Sequence, residues 1–313
     1  MYSKKNWSSY KISIRRKRLV FAVIMMAVIG GVTAASVHFA GRLRGSVGGG
    51  RRELLELWDG GDYEAVYSRS RDALAARPMD YFFLSMRGFS AYQIGVSQIN
   101  SLNAAQYFDD CVWSLRKALL LKNAENDGRL HYVLGKAYRY KGDSYADLSV
   151  KYLEKARELS FAVADIPQYL GIAYAAIGDY RSSVAAYSEA LGSLEDGPSS
   201  LLLLSIARSY LALEEFDAAR AYLLRCIEIS ADSRTILEAR LLLTEVLRNS
   251  GDNEGARRQL QEIIDETGDN AEVRFQMGEL YALQGDTARA RAEWRLALRA
   301  DPAHAKARTR LSI

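Results

Sequence analysis

Small residues recur through this chain at an interval close to 34 positions, and that interval constrains the fold more than any other feature. In the stretch Ala271 to His304, Gly278, Tyr281, Ala290, Trp294, Ala297 and Pro302 stand at positions 8, 11, 20, 24, 27 and 32. Earlier stretches repeat the spacing. Position 8 is taken by Gly88, Gly135, Gly171, Ala207 and Thr244, and position 11 by Tyr138, Tyr174 and Tyr210. Gly-Asp pairs punctuate the middle of the units at 61–62, 142–143, 178–179, 251–252 and 285–286. Two antiparallel helices approach closely only where the facing side chains are small, and larger residues fill the space beside them. A glycine can end the first helix in the left-handed conformation, and the aspartate after it can cap the second. Each such pair leaves an apolar face that only the next pair covers, so the expected fold is an all-α stack of helix pairs.

The pattern resembles the tetratricopeptide repeat (TPR) family from about residue 47 to 304. The resemblance implies a right-handed α-solenoid of about seven helix pairs over 51–313. Its units are 47–80, 81–127, 128–163, 164–199, 200–236, 237–270 and 271–304, with 305–313 as a C-terminal cap. The second unit has 47 residues, and most of its surplus lies between Gly95 and Cys111. There the polar, uncharged stretch Val96–Ala105 is expected to lengthen the helices or to protrude as a loop.

Before the repeats, residues 1–18 form a basic tail, and Leu19–Ala40 runs 22 residues without a formal charge. As a helix that stretch is roughly 33 Å long, enough to cross a hydrocarbon core of about 30 Å. Seven basic residues precede it and four follow, Arg42, Arg44, Arg51 and Arg52. This asymmetry predicts a single-pass signal-anchor in the cytoplasmic membrane, with the solenoid on the periplasmic side. A cleaved signal peptide is the other reading, with Val32-Thr33-Ala34 near the cut. The anchor is preferred because apolar character continues to Ala40. Residues 41–50 are a glycine-rich tether.

Residues 1–50 carry nine basic and no acidic side chains, so the rest of the chain has a net charge of −5 despite the overall +4. An acidic body argues against nucleic-acid binding. His38, His131 and His304 have no metal-ligand spacing, and no phosphate loop or nucleophile elbow is present. Neither a catalytic constellation nor a metal or cofactor site is expected. Cys111 and Cys226 fall at small core positions two complete repeats apart, too far to form a disulfide.

The resemblance places positions 2, 5, 9, 12 and 13 of each first helix on a concave groove. These positions give Tyr132, Lys136, Arg139 and Tyr140, then Gln168, Arg208 and Arg248, a mixed aromatic and basic strip suited to an acidic or carboxylate-bearing partner segment. An ordinary solvated face is the competing reading of the same residues. The carboxylate clamp of chaperone-cofactor members is absent, because position 5 carries Tyr132, Gln168 and Leu204. The expected function is a membrane-tethered interaction scaffold for a protein partner in an envelope complex of the secretion, pilus, outer-membrane assembly or flagellar-motor type. The alternative is a periplasmic accessory that binds a small apolar ligand for a transporter, with Leu201–Leu204, Phe82 and Phe89 lining a pore.

Overall fold

The computed structural model describes residues 50–99, 103–194, 197–268 and 270–312. Among them the regular structure is helical, without a strand. Residues 50–59 form α1. There follow α2 (Tyr63–Ala76), α3 (Tyr81–Ser97), α4 (Ala104–Ala118), α5 (Gly128–Tyr140), α6 (Ala146–Glu158), α7 (Ile166–Ala176) and α8 (Tyr180–Gly192). The chain continues through α9 (Ser200–Ala212), α10 (Phe216–Ile229), α11 (Ser233–Asn249), α12 (Asn253–Thr267), α13 (Ala271–Leu283), α14 (Thr287–Ala300) and α15 (Ala305–Ser312). The proposed span Leu19–Ala40 and its tail lie outside the described residues. Among those described, no helix is long and apolar enough to cross a membrane.

The chain divides into two compact units, one ending at Ser90 and the other starting at Ala91. In the first, Leu54, Val66, Leu74 and Leu84 are buried, and Trp58 meets Tyr63 edge-on at 5.0 Å. In the second, successive helices pack in antiparallel pairs, α5 with α6, α7 with α8, α9 with α10, α11 with α12 and α13 with α14.

Turn chemistry explains where the helices begin. Gly61, Gly178, Gly251 and Gly285 adopt φ between 76° and 86°. The aspartate after each one accepts a hydrogen bond from a backbone N–H in the first turn of the next helix. The fifth Gly-Asp pair behaves differently: Gly142 is followed by a 3-10 turn over Asp143–Tyr145, and α6 starts at Ala146 without a side-chain cap. Between α9 and α10 no glycine is present, and Glu214 takes the left-handed conformation at φ 60°.

The small positions mark close helix crossings. A Cβ on Gly135 would lie 2.5 Å from Leu153, and one on Gly278 would lie 2.5 Å from Trp294. The crossing of α3 and α4 is made by Gly95, against the ring of Phe108. Of the stretch Val96–Ala105, Val96 and Ser97 extend α3 to 17 residues, and Ala104 and Ala105 open α4. Cys111 and Cys226 are fully buried free thiols in the core.

Candidate functional site

In the second unit the first helices α5, α7, α9 and α11 contact one another in succession, and α13 continues their row. Position 9 of one first helix and position 2 of the next form a ladder across this row.

The first rung is the most built-up cluster. Lys136 on α5 is buried, 9 % exposed, and its Nζ lies 2.8 Å from Asp165 at the start of α7. Nζ also donates to the Tyr132 hydroxyl at 2.9 Å, and that hydroxyl donates to Asp165 at 2.8 Å. Three rings surround the ammonium, with centroids at 4.3 Å (Tyr169), 4.9 Å (Tyr132) and 5.7 Å (Tyr92). Tyr140 stacks on Phe108 at 5.1 Å and its hydroxyl meets that of Tyr169 at 3.4 Å. Burial alone would lower the Lys136 pKa, but the hydrogen bonds to Asp165 and Tyr132 outweigh it and hold the value above the ordinary one. Burial pushes the Tyr132 and Tyr140 phenols up to about 12, and raises Tyr92 as well, aided by the neighbouring tyrosines. The cluster is an aromatic cage already filled by the chain's own lysine.

The next rung carries Ile172 and Leu201, both apolar. The third pairs Arg208 with Glu238. The fourth has two carboxylates, Glu245 on α11 and Glu272 on α13. Both line a cavity of about 190 Å³ together with Thr244, Arg248, Phe275 and Lys306. At the last, Glu279 accepts from Arg310 of α15 at 2.6 Å.

The seven expected groove residues therefore separate. Tyr132, Lys136 and Tyr140 belong to one cluster on α5, whereas Arg139 pairs with Asp143 at 3.6 Å on the turn that follows. Gln168 on α7 is half-buried, Arg208 is paired, and Arg248 lines the cavity. The open basic strip expected for an acidic partner is not what the structure presents at α5 and α9. Each of these cations is opposed by a carboxylate of this chain, and Lys136 contributes to packing. Asp165 and Glu238 were the missing partners; each follows a position-9 cation by 29 or 30 residues, a periodic signal present in the sequence. Of the apolar lining expected for a ligand pore, Leu202, Leu203 and Leu204 are buried in the core, whereas Leu201 is exposed.

His131 is buried and its Nε2 bonds the Glu125 carbonyl at 2.9 Å, while His304 contacts Glu272 at 3.1 Å. Among the described residues, no group of three or more His, Cys, Asp or Glu side chains is placed to hold a metal ion.

Comparison with known proteins places this geometry in context. Residues 197–313 match the family described as a tetratricopeptide repeat-like domain. The C-terminal part of a TPR repeat-containing protein from Cytophaga hutchinsonii superposes with a TM-score of 0.57 at 14% identity, covering 84% of this chain and 100% of that one. A tetratricopeptide repeat protein from Parabacteroides merdae gives 0.50 at 14% identity, covering 84% and 98%. At such identities these likenesses bear on the fold alone. No curated protein matches the sequence.

Proposed function

We propose that this chain, whose residues 197–313 match a tetratricopeptide repeat-like domain, is a protein–protein interaction scaffold tethered to the bacterial cytoplasmic membrane. Leu19–Ala40 is the anchor in this reading. The second unit stands on the periplasmic side and holds an extended segment of an envelope-complex partner along its first helices. The observation that carries the reading is the cavity between α11 and α13, where side chains of two first helices face a space of about 190 Å³ that the chain leaves open. Extended peptides bind such rows through pockets for individual side chains. Lys136, Tyr132 and Asp165 are committed to one another rather than turned toward a ligand.

Photo-crosslinking residues placed singly at Gln168 and Gln276 in the membrane-bound chain test the proposal. A discrete cross-linked protein, the same from both positions, is the expected result. If neither position captures a protein and a small molecule co-purifies instead, the ligand-binding accessory replaces the scaffold.

A further inference from the structure

The ladder of position-9 and position-2 residues has one rung at odds with its neighbours. Lys136 faces Asp165 and Arg208 faces Glu238, so a cation from one first helix meets a carboxylate from the next. At the corresponding place between α11 and α13 stand Glu245 and Glu272, both on the wall of the same cavity. Glu272 has donors of its own in His304 at 3.1 Å, Gln276 at 3.3 Å and Lys306 at 3.7 Å. Glu245 has no ion-pair or hydrogen-bond partner among the described residues. Arg248, one turn further along α11, shares the cavity without pairing with it.

Resting on the scaffold reading, we propose that this cavity receives a basic side chain, arginine or lysine, from the partner segment. The guest cation would take the place that Lys136 fills at the first rung. There, one ammonium is held by a carboxylate and by the faces of aromatic rings 4.3–5.7 Å away. The α11–α13 cavity offers one carboxylate without a cation, Glu245, opposite Glu272 and the ring of Phe275, both of which the exposed Lys306 approaches from α15. Lys306 lies 5.7 Å from that ring but its side chain is 68% exposed, so a guest need not displace a buried group. Glu279 on the same lining is already matched by Arg310, and Glu272 by His304 and Lys306, so Glu245 is the carboxylate left for a guest. Arg248 remains available to donate to a backbone carbonyl of the bound segment.

The test selects a phage-displayed random dodecapeptide library on the full chain in lipid nanodiscs. The selected peptides should share an arginine or lysine. Their Kd should rise about tenfold for Glu245→Gln, the scale of one lost hydrogen bond to a charged group, while the melting temperature stays unchanged because Glu245 has no internal partner. Glu245→Lys should select acidic residues at the shared position instead. Binders without a common basic residue, or binders indifferent to Glu245→Gln, overturn the cavity assignment and leave the scaffold intact. A library that yields no binder also overturns it; the scaffold falls as well only when cross-linking at Gln168 and Gln276 captures nothing.

Discussion

Replacing Gly171 with alanine adds a single methyl group where α7 crosses α8. The new Cβ would lie 2.5 Å from Cδ1 and Cε1 of Tyr187 and 2.8 Å from its Cγ. Carbon atoms at optimal separation stand about 3.5–4.0 Å apart, so the ring and the helix must part by about 1 Å. Tyr187 is 2% exposed and has no open side to swing toward. Parting the helices also stretches the 2.8 Å hydrogen bond from Ser183 Oγ to the Gly171 carbonyl, and with it the 3.0 Å contact between Ser183 and Ser209 of the next pair. Overpacking costs about 1–3 kcal/mol, and a weakened buried hydrogen bond about 1 more. The expected loss is about 2–4 kcal/mol. Gly192→Ala on the last residue of α8 is the control, because nothing lies within 4 Å of its Cβ. That change should be neutral or stabilising, by up to about 1 kcal/mol. Urea unfolding followed by far-ultraviolet circular dichroism compares the two. In the double variant with Tyr187→Leu, Gly171→Ala should cost less, since the ring it strikes is gone. A Gly171→Ala protein as stable as Gly192→Ala would refute the reasoning.

Asp165→Asn leaves the buried Lys136 ammonium without its carboxylate and should destabilise the fold by about 2–4 kcal/mol; adding Lys136→Met should recover most of that loss in the same urea titration. Burial raises the Tyr132, Tyr140 and Tyr187 phenols from 10.0 to about 12. Folding thus favours their protonated forms, and the associated stability is complete below pH 10 and lost as pH rises through about 12. Chemical unfolding at increasing alkaline pH should show that decline, less steeply in Tyr132→Phe, and a flat profile would count against it. Cys111 and Cys226 are fully buried, and burial pushes the Cys111 thiol up, so maleimide should label both only after unfolding, read by mass spectrometry. A phosphatase reporter fused after Ile313 should be active, and an inactive one alongside an active cytoplasmic reporter would reverse the proposed topology.

The all-helical fold was legible because its signals are local or strictly periodic. A glycine followed by aspartate makes a turn at all five places and caps the next helix at four of them, and small residues 34–37 apart mark the crossings. The exceptions are instructive. Glu214 adopts a left-handed conformation with no glycine to announce it, and Gly95 makes its close approach in the irregular second unit, where the extra residues break the frame. The site was legible in its positions and misread in its state. Reading one helix at a time placed Lys136 and Arg139 on a shared face by the 3.6-residue period. It could not say that Asp165, 29 residues on, would neutralise the lysine across the groove. Face membership follows from one helix, whereas free charge depends on the neighbouring helix as well. Glu245 illustrates the converse: on its own helix it is a lone carboxylate, and it gains meaning only when Glu272 is seen on the opposite wall.

From α4 onward, every substantial contact joins helices at most two places apart in chain order. Such a stack has no long-range clasp, and its response to tension follows from that. A pull along the chain detaches the terminal pair first, because α13 and α14 are held by α12 on one side and only by the short α15 on the other. Releasing one 34-residue unit lets out roughly 110 Å of chain at full extension, while the remaining pairs keep their shape. Fixed to a membrane at one end and to a partner at the other, the protein would yield in steps and re-form them when the pull ceases, acting as an extensible link between two bodies that move.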